Sequence, residues 1–316
     1  MKKMLPLLAT VPLIALLASC GSSAGSDDAG GSGTVSIAAS FYPFAYVAEQ
    51  VGGQHVDVEN LTSPGTEPHD LELKPKQVGA VQDADLVVFE EHFQAAVDEA
   101  VDQADRSDDG TLDVASVVTL KPTQAGGEEE HADEEGHDEH DHGDEDPHTW
   151  LDPDNMIAIT KAMESKLSTI DPDHAADYAA NAARLEAELT TLSTDFETGL
   201  KTCTTRTIVT SHAAFQYLAA RYDLTQVPIA GIDPSNEPSP AQLADITKLV
   251  KAQGITTIFT EELVSPAIAD TIAKETGATT ATLDPIEGLS ADTKGETYLT
   301  LMRKNLDTLK KANGCS

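Results

Sequence analysis

The chain has 316 residues, 40% of them hydrophobic and only 4% aromatic, with 54 acidic against 20 basic side chains and a formal charge of −34 at pH 7. Such an excess argues against nucleic acid and anionic lipid surfaces as partners, since both bind through clustered Lys and Arg. The length allows two lobes, each large enough for its own core.

At the amino terminus Lys2 and Lys3 precede an apolar stretch over residues 5–17, then Ala18, Ser19 and Cys20. This is the build of an export signal, and the stretch is too short to span a bilayer. The order Leu17-Ala18-Ser19-Cys20 resembles the bacterial lipobox, in which cleavage falls before a cysteine that carries the lipid. Residues 1–19 are therefore read as the signal and Cys20 as the lipidated start of the mature chain, an ordinary cleaved signal being the alternative. Gly, Ser and Asp dominate residues 21–33, as in a flexible tether. With Cys20 lipidated, Cys203 and Cys315 remain as a single pair in an oxidising compartment. A disulfide between them closes a loop long enough to contribute roughly 4 kcal/mol by chain entropy. Two separate buried thiols are the alternative, and no Cys-x-x-Cys spacing marks them as metal ligands.

From residue 34 onward, β-rich runs alternate with helical ones. Residues 34–39, 55–61 and 85–89 read as strands, and 43–51, 75–83 and 93–104 as helices between them, which predicts an α/β lobe with a mainly parallel sheet over 34–170. Residues 124–146 interrupt it with an acidic run that includes His131, His137, His140 and His142 and holds about a third of the charge excess. That composition cannot build a packed core and predicts a disordered insertion. Asp171-Pro172 then starts a long helix over residues 171–200, with Tyr178, Ala182, Leu185, Leu189, Leu192 and Phe196 spaced three and four apart on one face. It reads as a rigid strut between two α/β halves, or as one more lobe helix. Residues 201–316 repeat the alternation, with strands over 207–210, 225–229, 256–260 and 278–283, helix starts at Ser239-Pro240 and Ser265-Pro266, and a final helix over 297–311.

In open α/β sheets ligands bind beyond the carboxyl ends of the strands. His69, in Gly65-Thr66-Glu67-Pro68-His69-Asp70, follows the strand ending near residue 61; His212 follows the strand over 207–210; Asp284 follows Leu283; and His148 lies in Asp146-Pro147-His148-Thr149-Trp150-Leu151-Asp152-Pro153. Three imidazoles and a carboxylate make a tetrahedral set that suits zinc. Glu67 lies near His69 and can supplement or replace Asp284. The four histidines of the acidic run are accessory candidates of lower affinity. Neither His-Glu-x-x-His nor Gly-x-Ser-x-Gly is present, so no hydrolase motif accompanies the cluster.

Read together, Phe41-Tyr42-Pro43, Pro68-His69-Asp70, the segment 146–153, Ser211-His212-Ala213-Ala214-Phe215 and Leu283-Asp284-Pro285 closely resemble the zinc and manganese solute-binding proteins of ABC transporters, the ZnuA-like group. The resemblance covers residue 34 to the end. It implies two Rossmann-like lobes joined by a long rigid backbone helix, with one metal in the interlobe cleft. By position it places His69, His148 and His212 on the three histidine ligands and Asp284 on the carboxylate; a histidine rather than a glutamate at 212 favours zinc over manganese.

The expectation is thus a non-enzymatic, extracytoplasmic lipoprotein, a monomer anchored through Cys20, that captures Zn2+ and passes it to a membrane permease. A manganese-binding member and a metal-binding surface adhesin are the alternatives.

Overall fold

The computed structural model describes residues 33–123 and 145–316, and 34–316 form one compact unit. The export signal, Cys20 and its tether, and His131, His137, His140 and His142 lie outside the described residues. Among the described residues no helix is long and apolar enough to cross a membrane.

The first half runs β1 (Val35–Ala39), α1 (Tyr42–Gly52), β2 (Val56–Asn60), α2 (Pro75–Asp83), β3 (Leu86–Phe89), α3 (Ala95–Ala104) and β4 (Thr111–Asp113). Its sheet has the order β2-β1-β3-β4, parallel throughout. Every residue of β3 is buried, which explains its unbroken Leu-Val-Val-Phe run: a parallel strand covered on both faces has no polar side to alternate with. A two-stranded antiparallel ribbon follows, β5 (Lys121–Pro122) against β6 (Glu145–Asp146). The last two residues of the expected insertion therefore belong to the fold, and Asp146 is fully buried.

Two helices come next, α4 (Pro153–Ile170) and α5 (Ala175–Gly199). Asp152 starts α4 by accepting the Asp154 N–H at 2.9 Å, with Pro153 in the first turn. This helix has no counterpart among the expected elements. In α5 the buried stripe is Tyr178, Ala182, Leu185, Leu189, Leu192 and Phe196, together with Ser193. The helix packs on α4, on α1 and on the last helix of the chain.

The second half runs β7 (Thr207–Thr210), α6 (Gln216–Arg221), β8 (Thr225–Pro228), α7 (Pro240–Gln253), β9 (Thr257–Thr260), α8 (Ala267–Thr276), β10 (Thr279–Thr282) and α9 (Tyr298–Asn313). Its parallel sheet has the order β8-β7-β9-β10. Numbered within each half, both sheets read second-first-third-fourth, so the halves share a topology although their sequences share no strong repeat.

The halves do not have wholly separate cores. One apolar cluster runs from Val35, Phe41 and Val47 through Trp150, Leu185 and Phe196 to Phe215, Leu283 and Leu309, and only the outer faces of the sheets keep smaller clusters of their own. Separating the halves would expose this shared surface to water, at about 25 cal/mol for each Å².

Cys203 and Cys315 are joined as a disulfide across 112 positions. It pins the end of α9 to the start of the second half, beside hydrogen bonds from the Thr204 and Thr205 N–H groups to the Asn313 carbonyl at 2.9 and 3.1 Å. Replacing both cysteines by serine is expected to cost about 2–5 kcal/mol in urea unfolding. An unchanged unfolding midpoint would show that the hydrogen bonds suffice.

Candidate metal centre

The carboxyl ends of both sheets supply the polar groups at the centre of the molecule. Just beyond β3 lies Glu90, beyond β7 His212, beyond β9 Glu261 and beyond β10 Glu287; His69 comes from the long loop after β2 and His148 from the turn after β6. His69, His148, His212 and Glu287 are all buried, and one ligand atom from each lies within 4.8 Å of every other.

Each residue is aimed by its own surroundings. Asp146 Oδ1 accepts both the His148 backbone N–H at 2.9 Å and its ring Nδ1–H at 2.7 Å. Glu261 does the same for His212, Oε1 taking the backbone N–H at 3.1 Å and Oε2 the ring Nδ1–H at 2.7 Å. With Nδ1 engaged, each ring presents Nε2 to the centre and is made more basic by its carboxylate. His69 is placed by its loop: Glu67 Oε2 accepts its backbone N–H at 3.1 Å, Gln94 Nε2 holds the Pro68 carbonyl at 3.1 Å, and Phe93 meets the ring edge-on at 4.8 Å. Glu287 Oε1 stands 3.2 Å from His212 Nε2 and 3.4 Å from the Nε2 of both His69 and His148, while His148 and His212 Nε2 are 3.2 Å apart.

Electrostatics divides the three imidazoles. Burial holds His69 down to about 4, with Glu287 only partly opposing it. Burial also acts against charge on His148, but Asp146 and Glu287 outweigh it and the net shift is upward. For His212 burial is again outweighed, by Glu261 and Glu287, and the ring lies well above its ordinary value. Glu287 is driven well below the carboxylate range because His212 and the facing ring nitrogens overcome its burial. With all three rings neutral, Asp146, Glu261 and Glu287 would leave three negative charges in a space shut off from water. Such a space needs protons or a divalent cation to offset it.

Of the residues singled out in the sequence, His69, His148 and His212 come together. Asp284 does not join them: its Oδ1 accepts the Ile286 N–H at 2.8 Å, and burial lifts its carboxyl to about 7. The carboxylate in the cluster is Glu287, three residues later in the same loop. Glu67 secures the His69 backbone through Oε2, and burial together with Glu287 pushes its carboxyl up to about 8; it is not among the four clustered residues. Asp146 and Glu261 also went unread as partners of the rings. Glu261 directly follows a strand and fits the rule that found His212, whereas Asp146 was hidden by the composition of the run before it.

The sequence model of the family described as "Zinc-uptake complex component A periplasmic" matches residues 37–312. Among curated relatives, zinc-binding lipoprotein AdcA of Streptococcus pneumoniae is 38% identical over 314 residues, covering 98% of this chain and 61% of the relative. The chain thus spans about three fifths of that longer protein. High-affinity zinc uptake system protein ZnuA of Bacillus subtilis is 36% identical over 300 residues, covering 93% of each. Among solved structures, the Zn(II)-bound ZnuA-like domain of Streptococcus pneumoniae AdcA superposes with a TM-score of 0.74 at 36% identity, over 89% of this chain and 99% of that one. The laminin-binding protein Lmb of Streptococcus agalactiae, described as bifunctional with adhesin and metal transporting activity, gives 0.75 at 33% identity over 88% and 99%. With its sequence matched over residues 37–312 and its fold shared with these structures, the chain belongs to the ZnuA family, the component A proteins of zinc-uptake complexes.

Proposed function

We propose that the chain is the zinc-capturing component of an ABC uptake system. It holds one Zn2+ through the Nε2 atoms of His69, His148 and His212 and the carboxylate of Glu287, and delivers it to a membrane permease. The observation that carries this reading is the spacing of those atoms. Four ligands placed about 2.0–2.1 Å from a tetrahedral zinc ion lie about 3.3 Å from one another. The separations from Glu287 Oε1 to the three ring nitrogens and between His148 and His212 Nε2, 3.2 to 3.4 Å, match that figure, and all four atoms lie within 4.8 Å of one another.

Three imidazoles favour zinc over manganese, whose preference runs to oxygen ligands. Four protein ligands leave no open position for an activated water, so the ion is cargo and no reaction is assigned to it. Capture is an exchange of one cation for others. Without zinc, the facing carboxylates favour protons on His148 and His212; zinc entry displaces them, because a ring must be neutral to ligate.

The sign of the pH dependence follows. The carboxylates hold both rings above the ordinary histidine value, so protons on them compete with zinc more strongly as the pH falls, while His69 competes only near pH 4. Calorimetry in buffers of different ionisation enthalpy, run from pH 8 down to pH 5, should record protons released as zinc binds and an affinity that falls with falling pH. Affinity flat across that range would contradict the exchange.

His69→Ala removes one of the proposed ligands. Zinc affinity is expected to fall by more than the 10–100-fold typical of residues that only orient a ligand. The rise in melting temperature with added zinc should shrink accordingly. A variant that binds zinc as the wild type does would remove His69 from the site.

The same reading puts the protein outside the cytoplasm, tethered by a lipid on Cys20. Metabolic labelling with a tritiated fatty acid should mark the wild type and not Cys20→Ala; equal labelling of both would overturn the anchor.

A further inference from the structure

We propose that Asp284 is a positioning residue for Glu287, acting through a left-handed backbone at Ile286. This rests on the zinc reading above and concerns how the carboxylate ligand is aimed.

Ile286 has φ of 59° and is fully buried. A β-branched side chain in that region is a true outlier, because Cβ crowds the adjoining carbonyl. The other non-glycine residues with positive φ among the described residues are His92, Asp105 and Asp223, none of them β-branched. The outlier therefore falls at the residue before the carboxylate that faces the three imidazoles. Backbone strain of this kind persists only where surrounding contacts over-determine it, and tends to gather at ligand clamps.

The contacts that hold it grip the two residues just before it. Asn305 of α9, itself buried, clamps the Asp284 backbone twice: Oδ1 accepts the Asp284 N–H at 2.9 Å, and Nδ2 donates to the Asp284 carbonyl at 2.6 Å. Trp150 Nε1–H donates to the Pro285 carbonyl at 2.7 Å. Past these two anchors the Asp284 side chain reaches forward, and its Oδ1 accepts the Ile286 N–H at 2.8 Å. That bond is the one that folds the chain back on itself at Ile286.

Glu287 has no comparable support of its own. His148 and His212 are each oriented by a carboxylate on Nδ1. In contrast, neither Glu287 carboxylate oxygen has a hydrogen-bond partner among the described residues, apart from its approach to the ring nitrogens. Its direction is therefore inherited from the backbone that the Asp284 tether bends. Without the tether, Ile286 returns to negative φ and the Glu287 side chain swings off the line to the imidazoles.

Zinc affinity measured against a competing chelator separates the possibilities. Asp284→Ala should weaken zinc about 10–100-fold, the usual cost of losing a group that orients a ligand. Asp284→Asn keeps an acceptor oxygen at the same place and should stay close to the wild type. Adding Ile286→Gly to Asp284→Ala should restore part of the loss, since glycine adopts positive φ without a tether. A directly coordinating Asp284 would behave otherwise: the Asn variant would lose as much as the Ala variant, and glycine would rescue nothing. Should Asp284→Ala fold poorly, the Asn variant and the double variant still decide, as full loss in the Asn variant overturns the proposal. A lowered melting temperature of the metal-free Ala variant with wild-type zinc affinity also overturns it, leaving Asp284 a purely structural role. Weak zinc binding by the wild type would instead overturn the metal reading itself.

Discussion

Three carboxylates buried around three imidazoles are the constraint to which the rest of the centre answers. Asp146, Glu261 and Glu287 are each at most 7% exposed, and each lies within hydrogen-bonding or ion-pair reach of a histidine ring nitrogen. In water such a group of anions would cost little; in a closed interior it is tolerable only when something positive sits among them. The structure meets that demand in graded fashion. His212 and His148 are pulled towards protonation by their carboxylates, whereas burial outweighs Glu287 at His69 and holds it neutral. The asymmetry means that the centre can exchange protons for a divalent cation without any of its carboxylates having to leave.

That arrangement depends on the fold delivering loops from distant parts of the chain to one place. Two parallel sheets of the same strand order turn their carboxyl ends towards each other's loops, and each contributes from the strand ends where an open α/β sheet has a crevice. The loop before His69 is tied directly to the loop after Glu287, through the Gly65 N–H and the Leu289 carbonyl at 2.8 Å. Beneath them the shared apolar cluster and α5 join the halves into one body. The order of strands places the clustered side chains; the shared core keeps them placed.

Much of this was legible in the sequence, and the exceptions have physical causes. Strand alternation gave both parallel sheets, because β1, β3, β7 and β9 are short apolar runs bounded by turn residues. His212 and His69 could be found from their places after strands, and His148 from its proline and tryptophan neighbours. Glu287 could not be separated from Asp284 in this way. The strand-end rule selects the first carboxylate, and what diverts the chain to the second is a left-handed turn at an isoleucine, a residue that no local pattern marks for positive φ. Asp146 was read as the first residue of the motif around His148, but a residue shared with the acidic run gave no sign that it would be buried against the ring. The helix α4 opens with Asp152-Pro153, the same signal that marked Asp171-Pro172, but its aspartate and proline had already been absorbed into the motif around His148. The shared core was invisible for a different reason: it arises from contacts between helices far apart in sequence, where periodicity shows which face is apolar but not what it meets.

The aromatic residues explain how so polar a centre is held rigid. They are only 4% of the chain, yet Phe41, Phe93 and Trp150 meet in one cluster at ring separations of 4.7 to 5.5 Å. Phe93 lies against His69, and Trp150 lies 5.2 Å from His148 while its indole N–H holds the Pro285 carbonyl. Tyr298 closes the far side by donating to the Trp150 carbonyl at 2.6 Å. The loops that carry His69, His148 and Glu287 are therefore packed against one apolar unit, and moving any of them disturbs the others. Groups held in this way lose little further freedom when they take a ligand, so the cost of ordering falls on the fold and not on the binding step. It follows that the spacing of 3.2 to 3.4 Å around Glu287 is a property of the packed scaffold, set by aromatic contacts and backbone tethers that never touch the ion.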